Sequence, residues 1–144
     1  LAILQVLLVE TGEHMLALPA SRVLRAHSVR PEQIVGSPGA QEIVLGGKTL
    51  PLVGLVGLLE GDGRSPEHSP IVESVLVGEG EAPLVALGVE RITGHREVVL
   101  KTVGTLLRNL GPFAGSTVLG DGRPVLILDV DQLIKLSGAF AGEG

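Results

Sequence analysis

The chain has 144 residues, of which 44% are hydrophobic, and it carries a formal net charge of −5. It contains no cysteine, which excludes disulfides and thiolate metal sites, and its scattered Lys and Arg residues form no basic stripe for nucleic acid. Only Phe113 and Phe140 are aromatic, so the core is expected to be aliphatic. Because no apolar run reaches the roughly 20 residues of a membrane helix, and residues 1–9 lack the basic lead of a signal peptide, we expect a cytoplasmic protein without membrane insertion.

Short apolar runs separated by 21 glycines and 9 prolines predict an all-β fold of many strands joined by turns. In the first half, the predicted elements are strands at residues 3–9, 14–18 and 24–29, one helical turn at 19–23 and a loop at 30–40. Gly46 and Gly47 lie between the apolar residues 43–45 and 50–53, a pattern that predicts a hairpin. A short helix or loop at residues 55–59 closes this half.

A polar connector at residues 60–69 precedes the second half. The elements predicted next are strands at 71–77, 84–89 and 97–103, a short helix at 103–110, and a hairpin that joins 116–119 to 124–128. The turn of this hairpin contains Gly120, Asp121 and Gly122, and an Asp-Gly pair suits a tight turn because both residues tolerate positive φ. A short helix with one apolar face is expected at residues 130–136.

The two halves of the chain resemble each other. Residues 16–23 align with residues 85–92, 69 positions later, and residues 52–59 align with residues 127–134, 75 positions later. Each half is therefore expected to contain a strand, a turn, a strand with a short crossover, a hairpin and a closing turn of helix. Since a half of this size buries too little surface to be stable alone, we expect two five-stranded barrels that share a core.

The second half carries the most specific motif. Residues 114–130, AGSTVLGDGRPVLILDV, and EVVLK at residues 97–101 resemble the end of CheW-like domains, most of all the C-terminal regulatory domain of CheA-type chemotaxis histidine kinases, including hybrid kinases. In the first half, LALP at residues 16–19 followed by Val23, and GKTLPLV at residues 47–53, look like the strand, crossover and hairpin of the same family. The resemblance covers nearly the whole chain.

The resemblance implies a single CheW-like domain over residues 1–144, built from two intertwined, SH3-like, five-stranded β-barrels with short helical turns. One subdomain is expected at about residues 1–60 and the other at about residues 70–137, with the chain ends free to exchange between them. Such domains are not catalytic and need no cofactor. They couple chemoreceptors to a CheA-type kinase by binding a CheW-like adaptor or the kinase, and the cytoplasmic tips of the receptors, so the resemblance implies a location at membrane-associated receptor arrays.

Partner contacts are expected at the barrel ends, where aliphatic side chains meet charged rims. The residues assigned to this interface are Val23, Arg25, Gly46, Lys48, Leu50, Glu90 and Ile92, and those assigned to structural turns are Gly47, Gly120, Asp121 and Gly122. Val23 is expected to face either the core or a groove, while Arg22 and Arg91 fit either an interaction surface or a solvated face. The chain departs from the family pattern twice: adaptors often carry an arginine where this chain has Gly46, and many relatives have aspartate in place of Glu90.

Other functions require a chemical centre, for which the sequence offers few candidates. Asp129 and Asp131 lie at a predicted strand-to-helix junction, where a helix cap is favoured over a catalytic carboxylate pair. No spacing typical of a metal site is found among the four histidines, His14, His27, His68 and His95. The alternatives are a stand-alone CheW adaptor and, more distantly, a small ligand-binding barrel protein or enzyme with an apolar pocket between the halves.

Overall fold

The computed structural model describes residues 2–37, 39–60, 70–78, 83–102, 104, 109 and 111–138. In chain order, the strands are β1 (Ala2–Thr11), β2 (His14–Pro19), β3 (Val23–Ser28), β4 (Ile34–Val35), β5 (Glu42–Leu45), β6 (Lys48–Gly54), β7 (Glu73–Val77), β8 (Val85–Val89), β9 (Arg91–Thr102), β10 (Phe113–Val118) and β11 (Pro124–Leu128). The helices are α1 (Leu55–Glu60) and α2 (Val130–Leu136), and two 3-10 turns occupy Ala20–Arg22 and Pro31–Gln33. The predicted fold class, an all-β protein with short helical turns, is confirmed.

Five strands form a closed barrel in the order β1-β2-β11-β10-β9. Neighbouring strands in it are antiparallel except β2 and β11, which run parallel. The remaining six strands form a second sheet in the order β3-β7-β8-β6-β5-β4, in which β6 and β8 are the parallel pair. Each sheet therefore takes strands from both halves of the chain, because β1 and β2 join the barrel while β7 and β8 join the second sheet.

The internal repeat is visible in the register of the two parallel pairs. In the second sheet, Leu52 of β6 lies beside Ala86 of β8. In the barrel, Ile127 of β11 lies beside Ala17 of β2. The sequence repeat aligns Leu52 with Ile127 and Ala17 with Ala86. The two parallel pairs are therefore equivalent in the repeat, and in each of them a strand of one half pairs with a strand of the other half. The predicted resemblance between the halves thus extends to their strand pairing.

The two sheets differ at the strand that closes the barrel. In the barrel, the long strand β9 pairs with both β1 and β10. In the second sheet, two separate strands make the corresponding pairings: β3 pairs with β7, and β4 pairs with β5. Only residues 29–33 separate β3 from β4, and Pro31 begins the 3-10 turn within that segment. Because proline has no N–H and cannot continue a β ladder, it accounts for the break. The second sheet is the barrel pattern with its closing strand interrupted.

A shared core joins the two sheets. Its buried residues come from β1, β2, β7, β8, β11 and both helices, and include Leu7, Val9, Leu16, Leu18, Leu55, Val75, Val77, Val85, Leu87, Leu128, Leu133 and Ile134. Two smaller clusters fill the individual sheets. One lies inside the barrel and contains Val6, Leu8, Ala17, Val98, Val125 and Ile127, and the other contains Ile43, Leu52 and Ala86 of the second sheet. The central strands thus bury both faces, which is why their sequences are continuous apolar runs.

The helices close the two repeats as predicted, each directly after the strand of a parallel pair. Asp129 caps α2, since its Oδ1 accepts a hydrogen bond from the Gln132 backbone N–H at 3.1 Å, which confirms the predicted cap. The loop predicted at residues 30–40 was incomplete, because it contains β4, and β9 starts at Arg91 rather than at residue 97. The predicted connector, apart from Glu60, and most of the predicted helix at residues 103–110 lie outside the described residues.

Candidate partner-binding surface

Among the described strands, the chain passes from one sheet to the other at two places. The first crossover, residues 19–23, leads from β2 of the barrel to β3 of the second sheet, and the second crossover, residues 89–92, leads from β8 back to β9 of the barrel. The sequence repeat aligns these segments, so Val23 corresponds to Ile92 and Arg22 to Arg91. Four of the predicted interface residues belong to the crossovers or to β3 directly after the first one.

Arg22 links the first crossover to two other elements. Its Nε donates to the Gly78 carbonyl oxygen at 3.1 Å, and its Nη2 bonds Asp131 Oδ1 at 2.8 Å. The Gly78 backbone N–H in turn donates to the Arg22 carbonyl oxygen at 3.1 Å. The hydrogen bond from Arg22 lowers the pKa of Asp131 below its ordinary value. Since Gly78 follows β7 of the second sheet and Asp131 lies in α2 after the barrel, Arg22 connects the second sheet with the helix that follows the barrel.

The second crossover is held by acidic side chains. Arg91 bonds Glu10 at 2.6 Å between Nη2 and Oε2, and the Glu90 backbone N–H donates to the Glu10 carbonyl oxygen at 3.1 Å. Glu90 Oε1 accepts from the Gly12 backbone N–H at 3.2 Å. The Ile92 backbone N–H donates to Glu73 Oε2 at 2.5 Å. Three carboxylates therefore stabilise this turn, and the side chain of Glu90 is used in one of these bonds.

Val23 and Ile92 pack their side chains against the shared core and are half-buried. The sequence left open whether Val23 faces the core or a groove, and in the structure it packs against the core. Arg25 is exposed on β3, opposite Leu76 and directly after an irregularity in the register of β3 and β7. In the crossover group, Arg25 is thus the residue most available for contact.

The remaining predicted interface residues lie on the hairpin of β5 and β6. Gly46 and Gly47 have positive φ angles of 56° and 80°, which the tight turn requires and glycine adopts without strain. Lys48 is exposed beside this turn, whereas Leu50 is half-buried against the cluster of the second sheet. Because β7 and β8 lie between β3 and β6 in the strand order, the predicted residues form two groups rather than one continuous site.

The β10–β11 turn contains the other predicted turn residues. The Leu119 backbone N–H donates to the Arg123 carbonyl oxygen, and the Gly122 N–H donates to the Leu119 carbonyl oxygen, each at 2.9 Å. Gly122 has φ of 88°. Asp121 accepts from the Arg123 backbone N–H at 3.0 Å and from its Nε at 2.6 Å, and these bonds lower the pKa of Asp121. Gly120 lies in the same turn and is exposed.

Asp129 and Asp131 do not form a carboxylate pair of the catalytic kind. Asp129 accepts from the helix backbone and Asp131 bonds Arg22, so each carboxylate has a structural partner. In the part of the chain that the structure describes, no three His, Cys, Asp or Glu side chains converge as metal ligands would. The same part contains no helix long and apolar enough to span a membrane.

An exposed apolar row on the outside of the barrel was not predicted from the sequence. We call it the outer row; it consists of Ile3, Val99 and Val118, with exposed fractions of 62%, 43% and 57%. Ile3 and Val99 are direct partners in the β1–β9 register. The sequence signal was the alternation along EVVLK, which puts Val99 on the solvent side between Glu97 and Lys101.

Comparisons with known proteins agree with one another. A family model described as CheW-like domain matches residues 5–137. The chain is 32% identical over 137 residues to the sensor histidine kinase CheAY of Helicobacter pylori, and 32% identical over 136 residues to the chemotaxis protein CheA of Bacillus subtilis. These alignments cover 95% and 93% of this chain but 17% and 20% of the kinases, so the chain spans about a fifth of their length. The scaffolding protein TtCheW of Thermoanaerobacter tengcongensis has a similar fold, with a TM-score of 0.59 at 17% identity over 88% of this chain and 89% of that one.

Proposed function

Since the chain belongs to the CheW-like domain family, we propose that it is the regulatory domain of a CheA-type histidine kinase, in which it couples chemoreceptors to kinase activity. The family is one of non-catalytic scaffold and adaptor domains in chemotaxis, and the predictions of a CheW-like domain and of a domain that is not itself an enzyme are confirmed with it. The observation that carries the finer proposal is the 32% identity to a CheA-type kinase along 95% of this chain.

The proposed partners are a CheW-like adaptor and the cytoplasmic tips of chemoreceptors, which implies a cytoplasmic location at receptor arrays. Arg25 of the crossover group and Lys48 of the hairpin group are exposed cations on a chain of net charge −5. A partner with an acidic rim is therefore attracted at these two places, while long-range repulsion opposes it elsewhere. Val23 and Leu50 pack mainly against core clusters, and their exposed remainder would supply the apolar contact next to each cation.

Signal transmission is proposed to occur by movement of the domain as a rigid unit. The shared core joins both sheets, and Arg22 ties the first crossover to Gly78 and Asp131. Densely packed interiors resist continuous deformation. A partner that binds the barrel would therefore displace the second sheet with it, and this would pass a change in receptor position to whatever is attached to the domain.

Titration of the chain with its cognate adaptor, and separately with a receptor-tip fragment, tests the function. We expect binding to both, with Arg25→Glu or Lys48→Glu weakening at least one interaction about tenfold through charge repulsion. Arg96→Glu is the matched control, since Arg96 is an exposed cation on β9 outside both groups. If both variants bind as tightly as the parent chain, the interface assignment is wrong. If the parent chain binds neither partner, the proposed function is wrong.

The second candidate is a stand-alone CheW adaptor, which would share the fold and bind a CheA-type kinase instead of belonging to one. The complete reading frame distinguishes the two. Adjoining ATPase, phosphotransfer or receiver segments would establish the kinase domain, whereas a reading frame that encodes this domain alone would establish the adaptor. The 32% identity to two CheA-type kinases, along 95% and 93% of this chain, supports the first outcome.

A further inference from the structure

The outer row crosses three neighbouring strands of the barrel. Ile3 of β1 lies opposite Val99 of β9. On the other side of β9, Lys101 lies opposite Ser116 of β10. Val99 lies two residues before Lys101, and Val118 lies two residues after Ser116. Because the two strands are antiparallel, both valines lie in the same direction from that pair and on the same face. The intervening Val98 and Leu100 point inward and pack in the barrel interior. The three aliphatic side chains therefore form a band across the strands, exposed by 43% to 62%.

The two sides of this band carry charges of opposite sign. Glu97 and Lys101 are both exposed and lie two residues to either side of Val99 on the outward face of β9. Gln5 lies opposite Glu97 in the register and donates from Nε2 to Glu97 Oε1 at 3.1 Å, which holds the carboxylate on this face. The surface thus has an acidic side, an apolar centre and a basic side along one strand.

Such an arrangement is complementary to itself. If a second copy faces the first across a two-fold axis that runs along the outer row, its β9 lies antiparallel to the first. Glu97 then meets the partner's Lys101, and Lys101 meets the partner's Glu97, while Val99 meets its own counterpart. An axis parallel to the strand would instead place Glu97 on Glu97 and Lys101 on Lys101, which repulsion disfavours.

We propose that the outer face of the barrel is a self-association surface on which a second copy of this chain packs across the two-fold axis defined by the outer row. The facing sheets would lie about 10 Å apart, as sheets packed face to face do. The band is narrow and the barrel surface is curved, so the contact is small and the association weak and dependent on concentration. This inference goes beyond the proposed function and does not rest on it.

Charge reversal provides a specific test by sedimentation equilibrium at low ionic strength. Glu97→Lys places lysine against lysine, and Lys101→Glu places glutamate against glutamate, so each variant alone should associate about tenfold or more weakly than the parent chain. An equimolar mixture of the two variants should associate again, because every facing pair is then of opposite sign. The double variant with both charges exchanged should self-associate like the parent chain.

A mixture that associates no better than either variant alone would overturn the proposal, as would a parent chain that stays monomeric at millimolar concentration. Added salt should weaken the parent association, because the charged pairs are exposed. Circular dichroism of each variant confirms folding. Binding of the cognate adaptor by the same variants is measured separately, so that failure of self-association and failure of the proposed function have different signatures.

Cross-linking tests the position of the axis. The chain has no cysteine, so Val99→Cys introduces one thiol on the proposed axis. A short bis-maleimide reagent should join two copies through it, whereas a direct disulfide requires a Cα separation of about 5.5 Å, less than the spacing of facing sheets. Val44→Cys is the control, since Val44 is also exposed, by 36%, but lies on β5 of the second sheet. Equal cross-linking of both variants would contradict the proposed face.

Discussion

Arg22 and Arg91 occupy equivalent positions of the internal repeat, yet each bonds a carboxylate from a different kind of element. Arg22 bonds Asp131 of the second helix, while Arg91 bonds Glu10 at the end of β1. The position in the first helix that corresponds to Asp131 is Val56, which offers no acceptor. The arginine of each crossover thus has an ionic partner, although the two carboxylates come from positions that do not correspond in the repeat.

We predict unequal effects of removing these arginines. Arg22→Ala should lower the free energy of unfolding by about 1 to 2 kcal/mol, because it removes the hydrogen bond to the Gly78 carbonyl as well as the ion pair. Arg91→Ala should lower the free energy of unfolding by about 0.5 kcal/mol, since the Arg91 side chain is 65% exposed and water screens its ion pair. Urea unfolding followed by circular dichroism measures both. Equal losses would contradict a special role for Arg22 at the first crossover.

The ion pair also predicts a dependence of stability on pH. The hydrogen bond from Arg22 holds the folded-state pKa of Asp131 below its ordinary value of 3.8. The pair therefore contributes stability above that pH and loses it as the pH falls through the folded-state pKa. Asp131→Asn should lower the free energy of unfolding by about 0.5 kcal/mol at pH 7, because the carboxylate is largely exposed. The deficit should shrink below about pH 4.

A double-mutant cycle with Arg22→Ala isolates this interaction. In the Arg22→Ala background, Asp131→Asn should have little effect at either pH, since the carboxylate has already lost its partner. A deficit that persists in that background, or that grows as the pH falls, would show that Asp131 acts through some other contact.

Ser74 presents a buried hydroxyl whose replacement should stabilise the protein. The residue is fully buried in β7, and its Oγ has no hydrogen-bond partner among the described residues. Burial of an unpaired hydroxyl costs free energy that alanine avoids. Ser74→Ala should raise the free energy of unfolding by about 1 kcal/mol. Ser28→Ala, at an exposed position of β3, serves as the control and should change it by less than about 0.5 kcal/mol. A clear loss of stability in Ser74→Ala would refute this account.

Gly88 is required by the approach of a neighbouring side chain. A Cβ at this position would lie 2.6 Å from Ile71 Cδ1 and 2.7 Å from its Cγ1. Gly88→Ala should therefore lower the free energy of unfolding by about 1 to 3 kcal/mol through overpacking. At Gly120, nothing lies within 4 Å of the added atom, so Gly120→Ala should be nearly neutral. Thermal unfolding of the two variants compares them, and an unfolding temperature for Gly88→Ala as high as that of Gly120→Ala would contradict the contact.

Local patterns in the sequence predicted most elements but not their partners. Glycine turns and apolar runs located the hairpin at Gly46 and Gly47 because turn geometry depends on adjacent residues. The short β4 was missed, since a strand of two residues between Pro31 and Pro38 carries almost no periodic signal. The bond between Arg22 and Asp131 joins residues 109 positions apart, and only the folded arrangement of crossover and helix brings them together. The outer row escaped for the same reason, because it crosses strands rather than following one.

The exchange of strands between the two sheets affects how the polypeptide can fold as it is synthesised. The ring of β1, β2, β9, β10 and β11 has its first two members at the start of the chain and its last at residue 128. During synthesis, β1 and β2 must wait, unpaired on one edge, until β9, β10 and β11 at residues 91–128 have left the ribosome. Contacts between such distant segments slow folding, so a nascent chain of this kind exposes its first aliphatic strands while the segments between β2 and β9 are made and is a natural client for chaperones.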